Sequence, residues 1–120
     1  MPYMRFGKIF YKRVIIRMLE KDIQKTIIEW LSLKRIFFYR NNSGMVFMAN
    51  RDGTKRAMRV GAVGSPDLVC VLGGRYIGIE CKKKGGKMSD SQHIFKEKLE
   101  KSGGKYILAF SLDDVIAGMV

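Results

Sequence analysis

The sequence predicts an α/β or α+β fold, a mixed β-sheet covered by helices on its faces, and three observations carry that expectation. Two runs rich in Val, Ile and Leu flank Gly73-Gly74, and a two-residue glycine turn between such runs marks a β-hairpin, because glycine supplies the positive φ that tight hairpin turns need. Ser89 with Gln92 three residues on forms a capping box, so a helix follows the hairpin. The β-prone run Lys105 to Phe110 comes after that helix. A strand that rejoins a sheet over a helical crossover runs parallel to its neighbour, so the sheet is mixed.

At 120 residues, 47% of them hydrophobic, the chain is long enough for one domain with its own core and too short for two. Lys and Arg number 23 against 11 acids, a net charge of +12. That balance points to a polyanionic partner, nucleic acid ahead of an anionic membrane surface. No apolar run approaches the ~18 residues of a membrane span, and the basic N-terminus lacks the compact apolar region of a signal peptide. A soluble, cytoplasmic protein is expected. Cys70 and Cys81 are expected as reduced core thiols. In the hairpin register given below they lie roughly 13 Å apart, beyond the ~7 Å Cα limit of a disulfide. His93 is the sole histidine, and no Cys/His spacing suits structural zinc.

Taken in order, residues 1–13 mix aromatic and basic side chains without a clean period, and read as a tail or accessory strand, or as an arm touching nucleic acid. From about Val14 to Leu33 the apolar positions Ile16, Leu19, Ile23, Ile27 and Trp30 recur at three- and four-residue spacing. This is an amphipathic helix whose apolar stripe spans about 80°. Glu20 sits about 40° from Ile16, at the margin of the stripe. It either reaches inward or pairs with Arg17 as a boundary residue.

Ile36 to Arg40 reads as a strand on β-branched and aromatic content, Asn41 to Gly44 as its break, and Met45 to Met48 as a returning strand. Asn50 to Gly53 is a turn, and Thr54 to Val60 a partly extended basic segment. Gly61 to Gly64 is a flexible loop. It lacks the Gly-Lys-Ser/Thr of a P-loop, so nucleoside triphosphate binding is not expected. Lys82 to Met88, after the hairpin, is too polar and glycine-rich for the core. The capped helix should run from Asp90 to about Ser102, with Ile94, Phe95 and Leu99 as its buried side, and end at Gly103-Gly104. Ser111 to Asp114 then caps a short last helix of about Asp113 to Ala117.

The functional signal lies in the hairpin register. With Gly73 and Gly74 as the loop, Leu72 faces Arg75, Val69 faces Gly78 and Asp67 faces Glu80. Opposed residues have Cβ atoms about 4.5–5.5 Å apart, and like charges at that distance repel. The side-chain period of two puts Lys82 on the face of Glu80 and Cys81 on the other. Two carboxylates with an ammonium beside them form a candidate divalent-metal site, since Mg²⁺ prefers oxygen ligands and is held by one or two carboxylates plus substrate phosphate. A cation there activates water toward a phosphodiester, and Lys82 can stabilise charge building on the phosphorane. Without a cation, one of the two acids takes up a proton more readily. Singly, Asp67 is a turn residue after Pro66, and Glu80 and Lys82 are a charged hairpin edge; jointly they favour catalysis. The basic run Lys82 to Lys87 is either a solvated face or a contact for phosphates.

Pro66-Asp67 followed by Glu80-Cys81-Lys82 resembles the PD-(D/E)XK nuclease signature. Glu20 ahead of Ile23-Gln24, the segment Arg40 to Gly44, Gly64-Ser65-Pro66-Asp67, Gly78 to Lys82 and Ser89 to Gln92 together resemble the virus-type replication-repair nuclease (VRR-NUC) family, across residues 18 to 116 or so. The resemblance implies a restriction-endonuclease-like mixed sheet flanked by helices, with core order αβββαβ. It further implies a single nuclease domain over residues 18–120 behind a basic extension of residues 1–17, and hydrolysis of DNA phosphodiesters dependent on Mg²⁺ or Mn²⁺.

By the same resemblance Asp67, Glu80 and the main-chain carbonyl of Cys81 are metal ligands, with Glu20 as a further one. Lys82 assists the attacking water, and Glu20 and Gln92 complete the site. The capping box also explains Gln92 without any catalysis. Nucleic-acid contacts fall to Arg40, Asn42, Ser43, Arg59, Lys83, Lys84 and Lys87. A freestanding domain of this kind resembles the small phage- and bacteria-associated members, similar in build to Holliday-junction resolvases that act as homodimers in the cytoplasm of a bacterium or phage-infected cell. Two-fold symmetry suits a four-way junction, which needs two cuts. Composition and motif leave open a small basic nucleic-acid-binding protein without catalysis, or a nuclease acting on another DNA or RNA structure.

Overall fold

The computed structural model describes residues 5–42 and 44–119, with side chains before Leu19 described at Lys12 and Ile15 only. The elements are α1 (Arg5–Leu33), β1 (Phe37–Arg40), β2 (Gly44–Ala49), β3 (Lys55–Val60), β4 (Leu68–Leu72), β5 (Arg75–Cys81), α2 (Asp90–Lys101), β6 (Lys105–Ala109) and α3 (Leu112–Met119). They build a mixed α+β domain: a four-stranded sheet in the order β1-β4-β5-β6 and a separate two-stranded sheet of β2 and β3. β6 runs parallel to β5, and the other pairings are antiparallel. The succession of helix, strands, central hairpin, helix, strand and helix is the one the sequence predicts.

The central hairpin closes in the expected register. Gly73 and Gly74 have φ of 59° and 76°, the two positive values that a type I′ turn demands, and Leu72 pairs with Arg75, Val69 with Gly78 and Leu68 with Ile79. Strand alternation then sorts the side chains onto two faces. Leu68, Cys70, Ile77, Ile79, Cys81, Ile107 and Ala109 face the core, against Ile27 and Leu31 of α1 and Val115 of α3. Both cysteines are free and buried. Burial pushes the Cys70 thiol up to about 11; burial, with the nearby Asp67, Glu80 and Glu20 carboxylates, pushes Cys81 up to about 12. Both stay protonated at neutral pH and behave as small apolar side chains.

Five expectations need correction. α1 begins at Arg5, so residues 5–13 belong to the helix and form neither an irregular tail nor an accessory strand; no proline follows Pro2 until Pro66, and an established helix propagates one bond per residue where nothing breaks it. Residues 1–4 lie outside the described part. Within α1, Leu19 is 48% exposed whereas Leu31, outside the expected stripe, is fully buried. The helix meets the core through Ile23, Ile27, Ile28, Trp30 and Leu31, in its C-terminal half.

Met45 to Met48 does not return onto β1. β2 pairs with β3 across the Asn50–Gly53 turn, and β1 pairs with β4. Loop length does not decide between them; β1 instead takes the apolar β4 as its partner, which carries Phe38 onto the core beside Cys70. Ile94 is 54% exposed, because α2 turns Phe95 and Leu99 toward the sheet and buries no residue completely. α3 is longer than expected, anchored by fully buried Val115 and by Gly118, whose missing side chain leaves room for Ile107. Among the described residues no helix is long and apolar enough to cross a membrane.

Candidate active site

The site forms where the β4–β5 ladder stops. Leu68 and Ile79 are the last pair in register. Two residues further, the Pro66 carbonyl accepts a hydrogen bond from Asn41 Nδ2 at 2.9 Å, and the Cys81 N–H donates to Asp67 Oδ2 at 2.9 Å. The Asp67 carboxylate thus replaces a main-chain acceptor, which fixes it opposite Glu80 at the end of the hairpin. Asn41 holds the approach from the other side. Its Nδ2 also donates to Ser65 Oγ at 2.8 Å, and its main-chain N–H to the Asp67 carbonyl at 2.9 Å.

Two glycines let this corner close. Gly64, at φ +79°, lies against the first turn of α2, where a Cβ would stand 2.1 Å from the Ser91 carbonyl oxygen. Gly78 receives Pro66, whose Cγ would lie 2.5 Å from an added Cβ. Real side chains cannot occupy either place without moving backbone or ring.

Glu80 is buried at 4% exposure. Its Oε2 accepts from Gln92 Nε2 at 3.0 Å and lies 4.0 Å from Lys82 Nζ. Gln92 Oε1 in turn accepts from the Ser89 N–H at 2.9 Å, while the Gln92 N–H donates to Ser89 Oγ at 3.2 Å. Gln92 thus closes the capping box through its amide oxygen and contacts the Glu80 carboxyl through its amide nitrogen. The amide orientation follows from the bonds: the oxygen must face the Ser89 N–H, so the nitrogen faces the carboxylate. Burial, and then the negative charge of Asp67, push Glu80 up to about 8, against the pull of Lys82. Burial thus favours the protonated form of this carboxyl.

Glu20 comes from α1 around the end of the sheet. Its Oε1 accepts from the Lys83 N–H at 3.4 Å, and it lines a cleft of about 170 Å³ with Lys21, Gln24 and Asp67. Arg17 lies among the side chains outside the described set. Cys81 meets Asp67 through its main-chain N–H while its thiol faces the core.

Asp67, Glu80, Lys82 and Gln92 thus form one connected group, with Glu20 across the adjoining cleft. Of the residues expected to touch nucleic acid, Lys83 is half-buried and Lys84 and Lys87 are exposed on the loop after β5, beside this group. Arg40 and Asn42 are exposed where β1 ends. Arg59 is exposed on β3, opposite Met45, and no hydrogen bond or ion pair among the described residues joins it to the site. Ser43 lies outside the described residues.

Sequence reasoning missed three contributors. Asn41 sat inside a segment singled out for resemblance, but nothing in the chain order says that its amide pins Ser65 and Pro66. Ser65, buried, donates from Oγ to the Ala62 carbonyl at 2.7 Å and so shapes the loop into Asp67. Tyr106 stands beside Gly78 in the parallel register, on the face of Glu80. Its buried hydroxyl has no hydrogen-bond partner among the described residues. Burial, followed by the Glu80 and Asp67 charges, raises its pKa.

Among the described residues no three His, Cys, Asp or Glu side chains converge as a ready metal cluster. Two carboxylates held side by side do suit Mg²⁺, which takes only one or two from the protein and fills its sphere with water and phosphate. No family model, curated protein or solved structure matches this chain. Fold and site together define a small, strongly basic α+β domain with a paired-carboxylate centre at the end of its central hairpin.

Proposed function

We propose that this domain is a metal-dependent nuclease of the PD-(D/E)XK type, on the restriction-endonuclease-like fold and akin to the VRR-NUC family, that cuts branched DNA such as a four-way junction. The observation that carries the reading is the apposition of Asp67 and buried Glu80, with Lys82 Nζ 4.0 Å from Glu80 and Gln92 bonded to it. The order α1-β1-β4-β5-α2-β6 around the four-stranded sheet supports it, since removing the β2–β3 insertion leaves αβββαβ. So does the net charge of +12, which suits a polyphosphate substrate.

Asp67, Glu80 and the Cys81 main-chain carbonyl would hold Mg²⁺ or Mn²⁺, with Glu20 available across the cleft. The cation would supply Lewis acidity to the scissile phosphate and to water. Glu80 must give up its proton to serve as a ligand, so cation binding and proton release are coupled at that carboxyl. Gln92 keeps Oε2 of Glu80 oriented through the exchange. Lys82 is positioned to balance charge as it develops on the phosphoryl oxygens. Lys83, Lys84 and Lys87 would steer the backbone to the cleft, and two protomers would make the two cuts that a junction needs.

The test is a substrate panel. Labelled four-way junction, duplex, single-stranded DNA and RNA are incubated with the purified protein in Mg²⁺, Mn²⁺ or EDTA. Expected is metal-dependent cutting of branched DNA that falls by about 10³-fold or more in Asp67→Ala and Glu80→Ala, with binding retained. Binding without cutting under every metal makes the protein a nucleic-acid-binding module and overturns the nuclease.

A further inference from the structure

The carboxylate face of the four-stranded sheet is only partly covered. α2 packs on β6, at one edge, while β1 forms the other edge. Strand register lays out what the open half carries. Phe38 packs on the core, so Phe37 and Tyr39 on either side of it point to the carboxylate face. Phe37 pairs with Val71, which pairs with Tyr76, and Tyr39 pairs with Val69. Phe37 is 66% exposed, Tyr39 47% and Val71 40%. The Phe37 and Tyr39 ring centroids stand 6.5 Å apart with planes at 61°, so neither ring stacks on the other and each keeps a free face. The Tyr76 ring lies over Gly78, its Cε1 3.3 Å from where a Cβ would stand, beside Pro66. An aromatic lane thus crosses the face and ends at Pro66-Asp67.

We propose that this aromatic face is a stacking site for the bases of an unpaired DNA strand that leads to the carboxylates. Rings select unpaired bases, because a duplex buries its base faces and offers only edges and phosphates. Charge selects a nucleic acid over an apolar protein surface. Lys34 and Arg35 are exposed just before β1 and Arg40 at its end, and neither residues 30–51 nor residues 68–79 contain an acid. Cations therefore bracket the rings, as suits a strand that lays its bases on them and its phosphates alongside. A second copy would bring those same cations against like charges. Val71 suits the methyl group of thymine, which uracil lacks, and so favours DNA over RNA.

Continuity with the carboxylates fixes the place of the strand. Tyr39 pairs with Val69, and the Asn41 N–H goes on to donate to the Asp67 carbonyl. Tyr39 is therefore the diagonal neighbour of Asp67 on one face, about 7–8 Å away. That span is one or two nucleotides of a strand whose stacked rise is about 3.4 Å. A base on Tyr39 thus belongs to a nucleotide close to the phosphate at Asp67 and Glu80, and stacking there tolerates any sequence, since every base has a π-face. That the strand held is the strand cut rests on the nuclease reading; the stacking itself does not.

Fluorescence anisotropy in EDTA tests it, with a labelled oligothymidylate, an oligouridylate and a duplex of equal length, on the wild type, Phe37→Ala, Tyr39→Ala and Tyr39→Trp. Each alanine variant is expected to bind the oligothymidylate about tenfold more weakly, with duplex binding changed by less than about twofold. Its circular-dichroism spectrum should be unchanged, and so should the salt dependence of binding, since neither ring carries charge. Tyr39→Trp should keep the wild-type affinity, and its added tryptophan emission should be quenched as the strand binds. Oligothymidylate affinity that survives both alanine variants, an equal loss for duplex, or tighter binding of the oligouridylate overturns the proposal. So does a wild-type dimer that dissociates in Tyr39→Ala on sedimentation, which would make a second copy the occupant. Ring-dependent binding by a protein that cuts nothing under any metal keeps this site and removes the nuclease; cutting without ring-dependent binding does the reverse.

Discussion

The two faces of the four-stranded sheet are built from the same strands and behave as opposites. One face carries Leu68, Cys70, Ile77, Ile79, Cys81, Ile107 and Ala109, sealed by α1 and α3. The other carries Val69, Gly78, Glu80 and Tyr106 beneath α2, a helix with no fully buried residue of its own. Alternation along β5 sends Ile79 and Cys81 to the first face and Glu80 between them to the second. One seven-residue strand thus supplies both the core and the charge. The difference teaches that stability is concentrated where packing is complete, so that the opposite face can tolerate buried Glu80 beside half-buried Asp67, an arrangement that works against folding.

The division breaks most visibly under a core deletion. Ile27→Ala, at a fully buried position, should cost about 2–5 kcal/mol by loss of packing. It should leave cutting per folded molecule unchanged, as measured by chemical denaturation beside the cleavage assay. A loss of turnover at full folding would show that the faces are coupled.

The next effect concerns Glu80. Its folded-state pKa of about 8 lies above the ordinary 4.5, so between those values the folded protein holds a proton that the unfolded chain has lost. Stability therefore falls as pH rises from about 4.5 through about 8 in metal-free buffer, by an amount on the order of a few kcal/mol. Glu80→Gln should flatten that slope in thermal melts across the range, and Mg²⁺ should flatten it in the wild type. A wild-type slope that is flat without metal would place the proton elsewhere.

The smallest effect separates the two ends of Gln92. Gln92→Ala removes the acceptor for the Ser89 N–H and should cost about 1 kcal/mol. Gln92→Glu keeps that acceptor yet sets a third carboxylate beside Glu80, so its melting temperature should stay close to the wild type at pH 6 while cutting falls by about tenfold. Undiminished cutting in Gln92→Glu would reduce the residue to a cap.

The hairpin register was legible because Gly73-Gly74 leaves one tight turn available, and every pairing down to Leu68 follows from it. α2 was legible for a similar local reason, since Ser89 and Gln92 are close enough in sequence to be recognised together. What was hidden depends on partners far along the chain. Asn41 meets Ser65 and Pro66, Gly64 meets Ser91, and β1 meets β4 after the whole β2–β3 insertion. Single residues give no sign of such meetings. The exposed Ile94 was misjudged because apolar spacing names a stripe without saying how much sheet lies beneath it.

Gln92 ties a local folding event to an electrostatic one. The first turn of α2 closes through its amide oxygen, and Glu80 is shielded through its amide nitrogen. A frayed turn would remove the donor and admit water, and since burial is the largest cause of the raised pKa, the water decides the sign and the proton becomes easier to remove. The helix end is in this sense a valve on the acidity of the site, opened by the ordinary breathing of four residues.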